Sequence, residues 1–152
     1  MVSPDYEDLF KTLNAFKIKY LVVGAHAVIF HSEPRFTKDM DVWIPMELND
    51  SEAVYEALKA FGAPLKQMTP ENFQDPNMIF QMGVIPVRID IMVNLPGVDA
   101  STAWENKKRN RYGRTPIHVL GKNELIKSKK AAGRSQDKLD IERLQIKSKR
   151  KR

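Results

Sequence analysis

Apolar residues follow two different spacings along the chain, and each spacing predicts a different element. In residues 4–16 they recur at helical intervals, with acidic residues in the first turn, which predicts an amphipathic helix. Residues 20–23 are instead a continuous apolar run that ends at Gly24, as expected of a short buried strand. A helix over 25–31 is predicted to follow directly from that strand.

The remaining apolar segments predict four more strands and three more helices. Strands are predicted at 39–44, 78–82, 87–93 and 117–120, and helices at 50–58, 101–108 and 123–146. Gly83 and Pro86 lie in the tight connection between two of these strands, which indicates a hairpin and therefore a sheet that is not wholly parallel. We expect an α+β domain with a mixed β-sheet of about five strands, helices on one face and the active cleft on the other.

The composition is that of an ordinary globular domain. The chain has 152 residues, enough for one core, and we assign residues 1–146 to that single domain. No apolar run reaches the length of a membrane span and the start lacks a signal-peptide pattern, so no membrane association is expected. The absence of cysteine excludes disulfides, Cys-based zinc sites and thiol catalysis, and it fits a cytoplasmic protein.

Charge is distributed unevenly along the chain. Residues 1–100 carry a net charge of −6 and residues 101–152 a net charge of +12. An acidic half suits a metal ion and a basic half suits phosphate groups. The last six residues, 147–152, contain five basic residues and no apolar one. We expect a disordered, solvated tail there, with an RNA-holding arm or an address signal as the alternative.

Strand alternation places three carboxylates on polar faces. Within 39–44, Asp39 and Asp41 share the face opposite the apolar residues, because successive side chains of a strand point to opposite sides. Within 87–93, the same alternation separates Asp90 from four β-branched residues. If the two strands are neighbours in one sheet, the three carboxylates converge.

Clustered carboxylates repel each other unless a cation lies among them. Oxygen ligands without a nearby His or Cys suit Mg²⁺, and two such ions can activate an attacking hydroxyl and stabilise a pyrophosphate leaving group. The alternative for Asp39 and Asp41 is a solvated strand edge. Asp90 lies within an apolar run, where an unpaired carboxylate is costly, and this favours the metal site.

The turn at Gly24 and Ala25 offers a second type of ligand. Backbone N–H groups at the start of a helix point outward and favour phosphate oxygens. A Gly-Ala turn alone is weak evidence, but only thirteen residues separate it from the Asp39 and Asp41 pair.

Together these residues resemble the signature of the nucleotidyltransferase superfamily related to DNA polymerase beta, and in closer detail its small abortive-infection (AbiEii-like) members. The first part of the likeness is Gly24-Ala25, a spacer and Asp39-Met40-Asp41, with Asp90 as the later third carboxylate. The second is the stretch from Gly24 to His31 followed by Arg35-Phe36-Thr37-Lys38-Asp39-Met40-Asp41. The third is Lys129, Gly133, Arg134, Asp137 and Asp140.

The resemblance implies the nucleotidyltransferase fold and a two-metal, NTP-dependent enzyme. Asp39, Asp41 and Asp90 would hold two Mg²⁺ ions and carry out catalysis, and Gly24, Ala25, Arg35 and Lys129 would bind the NTP. It further implies transfer of a nucleoside monophosphate to RNA, such as tRNA, or to a protein, and a place in a toxin–antitoxin pair with an antitoxin partner. Ala25 departs from the family pattern, since many active members have Ser at that position.

Several candidates keep two readings. Arg35 fits either a triphosphate contact or a pair with a neighbouring acidic residue. On the last predicted helix, Arg134 and Asp137 are three residues apart and can pair, so a salt-bridged helix is as reasonable as a binding role. The basic segment around Tyr112 fits either an RNA contact or a solvated loop.

Two rival functions remain at this point. One is a non-catalytic nucleotide- or RNA-binding module that keeps the fold, which Ala25 favours and the carboxylate trio opposes. The other is a basic RNA-binding protein in which the aspartates are structural.

Overall fold

The computed structural model describes residues 4–31, 39–84 and 87–150. The helices are α1 (Pro4–Ala15), α2 (Gly24–His31), α3 (Ser51–Phe61), α4 (Ala100–Glu105), α5 (Lys122–Ala132) and α6 (Ser135–Arg150). The strands are β1 (Leu21–Val23), β2 (Asp39–Trp43), β3 (Ile79–Val84), β4 (Val87–Met92), β5 (Lys108–Tyr112) and β6 (Thr115–Val119). Two short 3₁₀ turns cover Met46–Leu48 and Pro70–Gln74.

All six strands form one mixed sheet in the order β3-β4-β2-β1-β6-β5. β2 runs parallel to β4 and β1 parallel to β6, whereas the other neighbours are antiparallel. The predicted α+β class, mixed sheet and β3–β4 hairpin are therefore confirmed. The parallel pairs place the start of β2 beside β4, which is the arrangement that the carboxylate argument required.

β5 is the strand that the apolar pattern did not predict. Residues 108–111 of this strand are exposed and only Tyr112 is buried, so the segment has no apolar alternation that would distinguish it from a loop. It forms because Gly113, at a φ of 62°, turns the chain back and pairs it with β6.

The apolar face of the sheet packs against α1. Val42, Ile89 and Ile91 are buried on this face, and α1 covers it with side chains such as Phe10, whose ring stacks on Tyr20 at 5.6 Å and meets Tyr112 at 5.8 Å. Burial of this surface is the main source of stability for the domain.

The predicted last helix is two helices. Gly133, at a φ of 67°, ends α5, and its N–H donates to the carbonyl of Lys129. The chain then turns into α6, which runs to Arg150 and so continues into the expected tail 147–152, while residues 151 and 152 lie outside the described part. The turn brings the start of α6 to the carboxylate side of the sheet.

No helix in the described ranges is long and apolar enough to cross a membrane.

Replacing Ile91 with Ala tests the position of the core. Ile91 is fully buried in β4 between β3 and β2, so we expect Ile91→Ala to lower the free energy of unfolding by about 2–4 kcal/mol. Ile79→Ala removes the same atoms from a side chain that is 59% exposed and should cost under about 1 kcal/mol. Urea denaturation of both variants makes the comparison, and equal losses would contradict this core assignment.

Candidate active site

Asp41 and Asp90 lie side by side on neighbouring strands. In the parallel pairing of β2 with β4, Asp41 is opposite Asp90 and Asp39 is opposite Arg88. Paired residues share a face, and adjacent strands are about 4.8 Å apart. The structure therefore places the three carboxylates on the same face of two adjacent strands, with Met40 and its apolar neighbours on the other.

The pKa of Asp41 responds to its burial and to the charged side chains around it. Burial raises the pKa of Asp41 to about 6, with further increases from Asp90 and Asp39. Lys129 and Arg134 act in the opposite direction. A carboxylate with a raised pKa is one whose negative charge is incompletely balanced by the protein.

Asp90 and Asp39 have different surroundings. Asp90 accepts hydrogen bonds from Arg88, whose Nε is 3.1 Å from Oδ1, and this pair lies along one strand. Oδ1 of Asp39 is buried and has no hydrogen-bond partner within the described part of the chain. Among those residues, no three His, Asp or Glu side chains are already gathered as a metal site.

Gly24 lies directly against Asp41. A Cβ atom at position 24 would overlap Oδ2 of Asp41, and Gly24 also has a φ of +65°, which disfavours other residues. The junction between β1 and α2 therefore contacts the carboxylate of Asp41. Ala25 follows in the first turn of α2 and is partly buried.

His26 and Tyr6 form a neutral support behind this turn. Their rings meet edge to face at 6.0 Å, and Tyr6 donates its hydroxyl hydrogen bond to the carbonyl of Arg88. Burial lowers the pKa of His26 to about 4, so the imidazole is uncharged at neutral pH. These contacts are those of a packed, uncharged imidazole.

Lys129 lies at the α5–α6 junction and is buried. Its Nζ is 3.1 Å from Oδ1 of Asp137 and 3.2 Å from Oδ2 of Asp140, two carboxylates that are themselves buried. Lys129 also lines the cleft above Asp41. The ammonium group of Lys129 therefore pairs with carboxylates of the helix junction and also contributes positive charge to the cleft.

Arg134 is the cation at the entrance to the cleft. Its Nε donates to Oδ2 of Asp137 at 2.7 Å, yet its side chain is 74% exposed. The backbone N–H of Arg134 also donates to Asp137, which satisfies a free donor at the start of α6. The predicted Arg134–Asp137 pair is present, but the spacing did not indicate that Arg134 lines the cleft.

The cleft has a volume of about 240 Å³. Four of the predicted site residues line it, namely Gly24, Asp41, Asp90 and Lys129, whereas Asp39 and Ala25 do not. Its lining consists of Val23, Gly24, Asp41, Ile79, Gln81, Asp90, Met92, Leu95, Ser128, Lys129, Ala132, Arg134 and Asp137. Ile79 and Gln81 were not predicted, and only the β3–β4 register, which pairs Gln81 with Asp90, reveals them. Arg35 lies outside the described residues.

No protein-family model matches the chain, and no curated protein matches its sequence. Solved structures do match. The lincosamide antibiotic adenylyltransferase LnuA, in its lincomycin-bound form, aligns with a TM-score of 0.57 at 14% identity, over 95% of this chain and 97% of that one.

Two other solved structures match in the same way. The antibiotic-resistance factor ANT(2'')-Ia aligns with a TM-score of 0.59 at 9% identity, covering 94% of this chain and 80% of its own. A nucleotidyltransferase-like protein from Paracoccidioides brasiliensis aligns with a TM-score of 0.56 at 14% identity, covering 96% and 77%. The fold of this chain is therefore the nucleotidyltransferase fold.

Gly24→Ala tests the contact between the turn and Asp41. The substitution adds both backbone strain and an overlap with the carboxylate, and we expect it to lower the free energy of unfolding by about 2–4 kcal/mol. Gly62→Ala is the matched control, because Gly62 also has a positive φ but has open space around it. It should cost about 1 kcal/mol. Equal losses in thermal or urea denaturation would show that Asp41 does not restrict position 24.

Asp137→Asn tests the buried charges at the helix junction. Burial alone would raise the pKa of Asp137, but hydrogen bonds from Arg134 and Lys129 outweigh it and hold the pKa below its usual value. Asp137 thus stabilises the fold above about pH 4, and this stabilisation is lost as pH falls through the lowered pKa.

We expect Asp137→Asn to cost about 2–4 kcal/mol at pH 7, and the difference from wild type to shrink as the pH falls below 4. Urea denaturation across that pH range measures it. A difference that is constant with pH would contradict the ionic role of Asp137.

Proposed function

We propose that this chain, which has the nucleotidyltransferase fold, is a Mg²⁺-dependent nucleotidyltransferase that moves a nucleoside monophosphate from an NTP to a hydroxyl group of RNA, such as tRNA, or of a protein. The observation that carries the proposal is the register of β2 with β4. It sets Asp41 beside Asp90 in a cleft whose other walls are Gly24 and the cations of the α5–α6 junction.

The donor set fits divalent metal ions with oxygen ligands. Asp39 has a buried carboxylate oxygen without a partner among the described residues, and the pKa of Asp41 is raised by burial and then by the negative charges of Asp90 and Asp39. Asp39, Asp41 and Asp90 would hold two Mg²⁺ ions, with Asp90 exchanging its contact with Arg88 for the metal. When bound, Mg²⁺ supplies charge neutralisation and polarises phosphate oxygens.

The NTP phosphates would lie between the start of α2 and the helix junction. Gly24 and Ala25 offer backbone N–H groups there, and Gly24 lies against the carboxylate of Asp41. Arg134 contributes an exposed guanidinium at the entrance, and Lys129 contributes positive charge from below. Arg35 completes the proposed phosphate contacts.

The transfer step is a displacement at the α-phosphorus. The oxygen of the acceptor hydroxyl forms a bond to that phosphorus while the bond to the β-phosphate oxygen breaks, and pyrophosphate leaves with the bonding electrons. Asp90 accepts the proton of the hydroxyl. Arg88 holds the carboxylate of Asp90 in place in the absence of substrate.

The acceptor is proposed from the resemblance of the motifs. The same proposal includes a toxin–antitoxin role in the cytoplasm, in which the transfer is the toxic activity and an antitoxin is the partner protein. One of the similar structures is a lincosamide antibiotic adenylyltransferase and another is an antibiotic-resistance factor, so a small-molecule hydroxyl is a third acceptor to include when transfer is assayed.

Calorimetric titration with each NTP tests the nucleotide site. We expect binding that requires Mg²⁺ and that is weakened at least about tenfold, or 1.4 kcal/mol, in Asp39→Asn/Asp41→Asn. Glu56→Gln/Glu71→Gln removes the same charge from exposed positions of α3 and the following 3₁₀ turn, and it should leave binding unchanged. Circular dichroism of both variants confirms that they are folded.

Three outcomes separate the candidate functions. Metal-dependent binding followed by transfer of label from an NTP to RNA, protein or lincomycin supports the enzyme. Metal-dependent binding without transfer to any acceptor supports the non-catalytic module instead. Binding that is unchanged in Asp39→Asn/Asp41→Asn contradicts the metal site.

A further inference from the structure

The edge strand β5 carries a row of positive charges. We call Lys107, Lys108, Arg109 and Arg111 the β5 basic edge. The last three are exposed, and Lys107 lies with its Nζ 4.0 Å from the centre of the Trp104 ring. β5 is the outermost strand of the sheet, so the side of its backbone away from β6 has no neighbouring strand within the described residues.

The charges of the β5 basic edge are not balanced locally. None of its four residues forms an ion pair with any other residue of the described ranges. Burial lowers the pKa of Lys107, and the nearby charges of Arg109 and Lys19 lower it further. A row of cations that repel each other and lack acidic partners gains free energy from any polyanion that binds along it.

The β5 basic edge is divided between the two faces of the sheet, and Lys108, which pairs with Val119, lies on the face opposite the carboxylates. Arg109 and Arg111 lie on the face that bears Asp41, because side chains alternate along each strand and paired residues share a face. The pairs that establish this are Asp41 with Val23, Val22 with Val119, and His118 with Arg109. Three strand spacings separate β5 from β2, or roughly 14 Å.

A polar groove of about 640 Å³ extends from the basic surface toward the cleft, and its lining is of mixed charge because it includes Glu105 and Glu124. Lys107 and Lys108 form one side of it, and Lys122 and His31 belong to α5 and α2. The same two helices line the candidate active site, with Gly24 at the start of α2 and Lys129 near the end of α5. The length of α2, from His31 in the groove to Gly24 in the cleft, therefore separates a ligand along β5 from Asp41 and Asp90.

The composition of the β5 basic edge favours nucleic acid over protein. Cores of protein interfaces are aromatic and depleted in lysine, whereas nucleic-acid interfaces are polar and positively charged. The large apolar side chains that are exposed in the described residues are Phe16, Ile79 and Leu139, none of them on β5. Basic residues also discourage strand pairing at sheet edges, but that role requires no particular face.

We propose that the β5 basic edge binds the phosphate backbone of the acceptor RNA and directs its hydroxyl into the cleft. The inference rests on the proposed function for the fate of that hydroxyl, while the binding itself needs neither NTP nor metal. RNA with a few unpaired nucleotides at its 3′ end can span the distance from β5 to Asp41.

Fluorescence anisotropy with a labelled RNA hairpin that has an unpaired 3′ end tests the proposal in the absence of NTP and Mg²⁺. We expect Arg109→Ala/Arg111→Ala to weaken binding at least tenfold at 0.1 M salt. The slope of log affinity against log salt should become shallower by about 1.4, since each phosphate contact contributes about 0.7 for single strands and more for duplex.

Lys59→Ala/Lys66→Ala is the matched control, because it removes the same charge from exposed positions on and after α3. It should change the affinity by less than threefold. Equal weakening by both double variants would show a general effect of net charge and would overturn the proposal, as would wild-type protein that does not bind RNA.

The two proposals fail in different ways. RNA binding that depends on Arg109 and Arg111, without transfer of a nucleotide to RNA, protein or lincomycin, would support the β5 basic edge while contradicting the proposed enzyme. Transfer to RNA that is equally efficient in Arg109→Ala/Arg111→Ala would support the enzyme and overturn the inference.

Discussion

The packing of negative charge between β2 and β4 is the constraint on which the rest of the site depends. Parallel pairing sets Asp41 beside Asp90 and leaves Asp39 one step along the same face. Without compensation this arrangement is unfavourable, because clustered carboxylates repel each other; the pKa of Asp41 is raised by its burial and, to a smaller extent, by Asp90 and Asp39. The surrounding cations, Arg88 and the two at the helix junction, reduce that cost without removing it. The remaining imbalance is what makes the cleft suited to a divalent cation.

The α5–α6 junction is built to hold positive charge over that face. Gly133 ends one helix, and the next begins at once, so Lys129 and Arg134 are brought to the same wall of the cleft. Asp137 and Asp140 bind Lys129 from the side away from solvent. Ion pairs at this depth contribute little net stability, but removing one partner is costly, and they fix the position of the groups that form them. The junction is therefore a positioning device as much as a structural one.

Sequence patterns predicted those parts of the fold and site that depend on local periodicity. Alternation in 39–44 and 87–93 was enough to assign Asp39, Asp41 and Asp90 to polar faces, because the pleat of a strand permits only two directions. The same method missed β5, since exposed edge residues need no apolar pattern. It also gave no sign that Ile79 and Gln81 line the cleft, because they reach it only through the pairing of β3 with β4, and it left open whether Arg134 has a binding role or only pairs with Asp137.

The sequence by itself determined most of the elements other than β5 and the break between α5 and α6, as well as the polar faces and the charge difference between the two halves of the chain, all of which arise from neighbouring residues. Only the tertiary structure decided that β2 and β4 are adjacent and in register, that Gly24 contacts Asp41, and that Arg109 and Arg111 of the basic edge lie on the carboxylate face. Strand order and helix packing are set by burial of the whole core, and no short segment carries that information.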